Sequence, residues 1–150
     1  MDYINNLRKH VGHNPLLMVG STMLVLNEHN QLLMMKRSES ENWGVPGGAM
    51  ELGETTEETA KRELFEETNL QVGEMKFFGI FSGKELYYRY PSGDEVYNVS
   101  TVYITRDTHG ELRLTDGEHF KFHWFPLSNL PEKISPPIKP ILRKLVETFS

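Results

Sequence analysis

The chain has 150 residues, of which 38% are hydrophobic and 25% charged, with 21 Asp and Glu against 16 Lys and Arg and a net charge of −5. That balance belongs to a globular protein of one domain, residues 1–150, and excludes a disordered, collagen-like or coiled-coil chain. No apolar run approaches the ~18–20 residues of a bilayer crossing, and the amino end MDYINNLRKHVGH has no apolar signal region, so no membrane association and a cytoplasmic location are expected.

Taken in chain order, Asp2 to His10 predicts a short peripheral helix, with Ile4 and Leu7 on one face, interrupted by Gly12 and Pro15. Leu16 to Leu26 and Gln31 to Lys36 are β-rich apolar segments. The polar loop Asn27-Glu28-His29-Asn30 has hairpin length, and two neighbouring antiparallel strands are expected. Trp43 to Gly53 holds four glycines and Pro46, and Thr55 to Leu70 follows as a helix with Thr55 or Thr56 at its N-cap. Val72 to Ser82, Val96 to Thr105 and Phe120 to Phe125 predict further strands. After Pro136-Pro137, residues Ile138, Ile141, Leu142, Leu145 and Val146 define an amphipathic closing helix. The fold class expected is α/β: a mixed sheet between helices, an α/β/α sandwich.

The central helix carries the chemistry. From Glu54 to Glu67 there are six glutamates against Lys61 and Arg62, and Glu63, Glu66 and Glu67 share a face because positions i, i+3 and i+4 lie within about 100° of one another. Glu66 and Glu67 also oppose the macrodipole, which disfavours anions in a last turn by ~0.3–1 kcal/mol each. A local rule broken twice at one place marks a functional site. The chain has no cysteine, so any metal is held by oxygen or imidazole, and clustered carboxylates select Mg²⁺ or Mn²⁺, which commonly bind together with substrate phosphates. A Glu-rich helix that is simply solvated is the competing reading of the same residues. The acidic charge argues against sequence-independent nucleic-acid binding, which needs basic surface. A polyanionic ligand therefore has to be bridged by cations.

With its flanks, the segment Gly48-Ala-Met-Glu-Leu-Gly-Glu54, seven residues, then Arg62-Glu63-Leu64-Phe65-Glu66-Glu67-Thr68-Asn69-Leu70 resembles the signature of the MutT-like Nudix hydrolases, GX5EX7REUXEEXGU with U a bulky aliphatic residue. All fixed positions agree except the last glycine, which is Asn69 here. That change is mild, because a helix-terminating position favours the left-handed conformation and Asn follows Gly in preference. The resemblance implies hydrolysis of a nucleoside diphosphate linked to another group, with water attacking phosphorus and Mg²⁺ or Mn²⁺ bound. It implies Glu66 and Glu67 as metal ligands, Glu63 as a third ligand or the general base, the Gly48 carbonyl as a backbone ligand, Glu54 as a supporting acid and Arg62 as the residue that orients carboxylates. In the family a loop acid before a late strand often serves as base or further ligand. Glu118 in Thr115-Asp-Gly-Glu118-His119 is the candidate, with Asp116 and His119 as substitutes.

Outside this box, Arg37 is placed to clamp a phosphate or merely to end its strand. In the run Tyr87-Tyr88-Arg89-Tyr90, Tyr87 and Arg89 are candidates to stack on a base and contact phosphate, against the alternative of packing tyrosines with wet hydroxyls. Trp43 either lines the pocket or seats the Pro46 turn, and Met34-Met35 read as core filler. The substrate expected is a nucleoside diphosphate derivative, ADP-ribose or a nucleotide sugar or a (d)NTP, with a dinucleoside polyphosphate and capped RNA also open. A non-catalytic nucleotide-sensing module is the alternative, and a homodimer fits the family.

Overall fold

The structure, a computed structural model, describes residues 2–38 and 40–149. In chain order it contains α1 (Tyr3–Val11), β1 (Leu16–Val25), β2 (Gln31–Arg37), β3 (Trp43–Gly44), β4 (Gly47–Ala49), α2 (Thr56–Thr68), β5 (Gln71–Val72) and β6 (Lys76–Phe81). There follow β7 (Tyr87–Arg89), β8 (Glu95–Thr105), β9 (Thr108–His109), β10 (His119–Pro126) and α3 (Lys139–Phe149). One sheet has the order β4-β1-β8-β6 with β7 also paired to β8, and a second has the order β10-β2-β3. The sheet is mixed, since β1 runs parallel to β8 from Leu16 opposite Val96 to Val25 opposite Thr105 while β4, β6 and β7 pair antiparallel.

Strand alternation divides the interior between the two helices. Met23 and Val25 of β1 and Leu33 of β2 join Ala60 and Leu64 of α2, whereas Leu24, Leu32 and Met34 point the other way onto Ile141, Leu142 and Leu145 of α3. Each of these α3 side chains contributes about 1.5–3 kcal/mol by burial. Met34 and Met35 are fully buried, as core filler should be.

The hairpin expected of β1 and β2 does not form. The two strands meet only at an isolated bridge between Leu26 and Leu32. Ser21 to Leu26 and Leu32 to Met35 are buried without interruption, which is the pattern of central strands covered on both faces, so each takes partners on both of its edges. Asn27 organises the crossing between sheets, its Oδ1 accepting from the amides of His29 (2.9 Å) and Gln31 (3.0 Å). The segment expected as one strand from Val72 to Ser82 is likewise split into β5 and β6, because the Gly73 amide turns away to the Asp107 carbonyl (2.9 Å).

Among the described residues no helix is long and apolar enough to cross a membrane.

Candidate active site

Helix α2 is positioned at both ends by its own sequence. Thr55 Oγ1 accepts from the Glu58 amide (3.1 Å) and Glu58 Oε1 accepts from the Thr55 amide (2.8 Å), a reciprocal cap that satisfies two otherwise orphaned donors. Asn69 ends the helix at φ 68°, with its side-chain amide donating to the Glu111 carbonyl (3.0 Å). Strand β4 lies between α2 and β1, and their close approach leaves no room for side chains at Gly47 and Gly48. A Cβ on Gly48 would overlap the Glu63 carboxylate, and one on Gly47 would stand 2.6 Å from the Ser21 carbonyl oxygen.

Arg62 organises the carboxylates around it. Its guanidinium donates to both oxygens of Glu54 (2.6 and 3.0 Å), to Glu63 (2.9 Å), to Glu66 (2.8 Å) and to the Ala49 carbonyl (3.0 Å). A rigid planar fork can serve several acceptors at fixed angles, which a lysine cannot. Glu54 additionally accepts from Thr59 Oγ1 and the Glu51 amide, both at 2.9 Å. The Arg62 hydrogen bonds, against the opposing effect of burial, hold the Glu54 carboxyl at about 2 instead of 4.5.

Glu67 stands in the opposite situation. It is 6% exposed, it accepts from the Gly47 amide (3.1 Å), and no arginine reaches it. Burial, followed by repulsion from Glu63, pushes its carboxyl well above the ordinary range, and burial raises Glu63 despite Arg62. Ligand atoms of Glu67, Asp116 and His119 lie within 4.8 Å of one another. Asp116 Oδ2 is 2.6 Å from His119 Nδ1, and its Oδ1 accepts from the amides of Glu118 (3.0 Å) and His119 (3.1 Å). Burial works against the charge on Asp116, but the bonds from His119 outweigh it and the carboxyl sits below its usual range. Glu118 is more exposed, at the edge of the same cleft, and pairs with Arg37 (3.1 Å). Glu63, Glu66, Glu67 and the Gly48 backbone thus line one acidic cleft together with Asp116, Glu118 and Arg37. Asp116 and His119, the two substitutes considered for Glu118, are the residues whose ligand atoms gather with that of Glu67.

The cleft opens into a cavity of about 160 Å³ bounded by both sheets and by Pro137, Ile138 and Ile141. Tyr88, Tyr90, Asn42, Asn98, Ser100 and His119 face it, and Arg37, Tyr90 and Glu67 stand where it meets the acidic cleft. Tyr87 and Arg89 do not line it. Alternation along β7 turns Tyr87 to the opposite face, where its hydroxyl donates to Glu95 (2.6 Å) and its ring packs on Tyr97 at 5.2 Å, and Arg89 is exposed. Within the aromatic run, the register across the strand puts Tyr88 and Tyr90 on the cavity side. Trp43 stays out of it as well, packing edge-on against Phe125 at 4.8 Å. Asn42 and Asn98 carried no signal in the sequence, being isolated amides without a motif.

A glycine strand laid against an acidic helix, with buried carboxylates converging beside a polar and aromatic cavity, makes one continuous site on an α/β sandwich. The NUDIX domain family matches residues 16–145, and the chain belongs to that family. It is 33% identical over 111 residues to an ADP-ribose pyrophosphatase of Methanocaldococcus jannaschii, covering 72% of this chain and 62% of that protein. It spans 42% of the length of a Bacillus subtilis relative. In fold it is similar to a MutT NUDIX hydrolase from Burkholderia pseudomallei (TM-score 0.72, 24% identity, 86% of this chain and 98% of the other). It is also similar to the NUDIX domain of Shewanella oneidensis NrtR complexed with ADP ribose (TM-score 0.69, 18% identity, all of both chains).

Proposed function

We propose that residues 1–150 form one Nudix domain that is a pyrophosphohydrolase, hydrolysing the diphosphate linkage of a nucleoside diphosphate derivative, ADP-ribose or a nucleotide sugar or a (d)NTP, by attack of water on phosphorus. The observation that carries this reading is the buried Glu67 carboxyl beside Glu63 and Asp116, a group whose charged form is costly there unless a cation faces it. The donors are carboxylates, a backbone carbonyl and one imidazole, with no thiolate, and this set fits Mg²⁺ or Mn²⁺. Glu66, Glu67, Glu63 and the Gly48 carbonyl would hold such an ion. When bound, it neutralises diphosphate oxygens and acidifies water.

The chain's own groups divide the remaining work. Arg62 fixes Glu54, Glu63 and Glu66 in one arrangement. Glu63, or Glu118 from the loop before β10, accepts the proton of the attacking water. Arg37 offers a guanidinium to a phosphate where cleft and cavity meet, and the cavity accepts the nucleoside half.

Likeness to the NrtR domain supports one alternative, a module that binds a nucleotide without cleaving it. Both are tested by product release from ADP-ribose, nucleotide sugars, (d)NTPs and dinucleoside polyphosphates, each with Mg²⁺, Mn²⁺ or EDTA. Metal-dependent cleavage of one class is expected. Binding without cleavage across the panel would favour the alternative.

Gly48→Ala provides a second check. The obstructing atoms belong to the flexible end of Glu63, so stability should fall by only about 1 kcal/mol as that carboxylate swings aside. Turnover should fall by about tenfold or more, because its acceptor geometry is lost. Thermal unfolding and kcat measured on one preparation separate the two effects, and an unchanged kcat would remove Glu63 from the machinery.

A further inference from the structure

Helix α1 precedes the segment that matches the family, and none of its residues is buried. Polar bonds rather than core burial hold it in place. Near its start, the Tyr3 amide donates to Glu51 Oε1 (2.9 Å), in the loop that leads from Gly48 to Glu54. Near its end, the Arg8 guanidinium donates to the carbonyls of Gly12 (2.9 Å), Asn14 (2.6 Å) and Glu95 (2.7 Å), with Nε 3.7 Å from the Asp94 carboxylate. His13 Nδ1 lies 2.6 Å from the same carboxylate. The helix therefore spans from the signature loop to the turn between β7 and β8, and Asp2, Ile4, Asn5 and Arg8 form one wall of the acidic cleft.

The turn that Arg8 grips also carries the aromatic residues of the cavity. It is closed by the Tyr90 amide on the Asp94 carbonyl (2.8 Å) and the Gly93 amide on the Tyr90 carbonyl (2.9 Å). Tyr88 pairs with Val96 and Arg89 with Glu95, so fixing the backbone at Glu95 fixes where Tyr88 and Tyr90 stand. Three carbonyls take three of the five Arg8 N–H donors and the Asp94 carboxylate faces a fourth, so most of the fork is committed to the protein itself.

We propose that α1 is a specificity strap: Arg8, acting through Asp94 and Glu95, positions Tyr88 and Tyr90 against the nucleoside half of the substrate. The proposal rests on the pyrophosphohydrolase reading for the presence of a nucleoside and adds to it an element that precedes the family segment. Arg8 is a positioning residue. Its loss should act on substrate affinity and not on the chemical step.

The test combines steady-state kinetics on the substrate cleaved best with calorimetric titration of AMP and GMP, which contain a nucleoside but no diphosphate. For Arg8→Met, KM should rise about tenfold with kcat within about threefold, and the affinity for the mononucleotide that binds should fall by a similar factor. Arg8→Lys should not rescue it, because a point charge cannot span three carbonyls. Asp94→Asn should shift KM the same way by less, and it supplies the answer if Arg8→Met does not fold. Unchanged KM and mononucleotide affinity, or a fall confined to kcat, would overturn the proposal. If the wild-type protein cleaves no nucleotide, the hydrolase reading fails by itself. The titration then still decides: weaker binding by the variant supports the strap, while equal binding, or none by the wild type, refutes it.

Discussion

Glu67→Gln should reduce metal-dependent turnover by on the order of 10²–10³-fold while leaving the metal-free protein at least as stable as the wild type. Glu67 is 6% exposed and accepts from the Gly47 amide, so the substitution preserves shape and an acceptor while removing a buried charge. The effect of pH follows from the direction of its shift. Burial and Glu63 raise the folded carboxyl above its ordinary 4.5, so folding favours the protonated form. Its stabilising contribution is fully present below about pH 4.5 and is lost as pH rises through the elevated folded value. Unfolding temperatures in EDTA should therefore decline less with rising pH for the variant than for the wild type. Added Mg²⁺ should recover stability at about pH 8 in the wild type and much less in the variant, because a cation that binds only the folded state stabilises it by mass action. Near wild-type turnover at saturating Mg²⁺ would show that Glu67 holds no ion.

The second large effect is expected at Arg62. Arg62→Met should cost about 3 kcal/mol, the lower end of the range for breaking a buried pair because the side chain is 29% exposed. It leaves Glu54, Glu63 and Glu66 facing one another without their shared donor, so turnover should fall with it. Arg62→Lys should recover little of either quantity. Acid unfolding gives an independent reading. Glu54 is held at about 2 in the folded state against 4.5, so its contribution is present above about pH 4.5 and is lost as pH falls toward about 2. Removing Arg62 should flatten that limb of the stability curve in urea titrations. Wild-type stability in Arg62→Lys would mean that the fork geometry contributes nothing.

The helix of the site was legible because its signals are local. Spacing alone aligned Glu63, Glu66 and Glu67, the Thr55 and Glu58 pair announced the helix start, and Asn69 stands at the left-handed end that its residue type favours. The terminal helix was equally legible from Ile141, Leu142 and Leu145, which are buried as their period requires. Pairing of β1 with β2 was misread because a four-residue polar loop looks the same whether the following strand folds back or crosses to another sheet. Only the long parallel match of β1 with β8, some eighty residues away in sequence, decides between the two, and no short-range pattern encodes it.

The same division runs through the site. Sequence by itself determined the fold class, the family and the carboxylates that gather on α2, since each depends on residue type and spacing within one segment. Tertiary structure alone decided that Glu67 is buried while Arg62 compensates the charge of Glu54, that Asp116 and His119 close on Glu67 from about fifty residues later, and that Tyr88 and Tyr90 rather than Tyr87 and Arg89 face the cavity. It alone also tied α1 to the turn between β7 and β8 through Arg8. Burial, register and contacts between distant segments are properties of the packed chain, and identical residue types in another packing would have other charges, other neighbours and other chemistry.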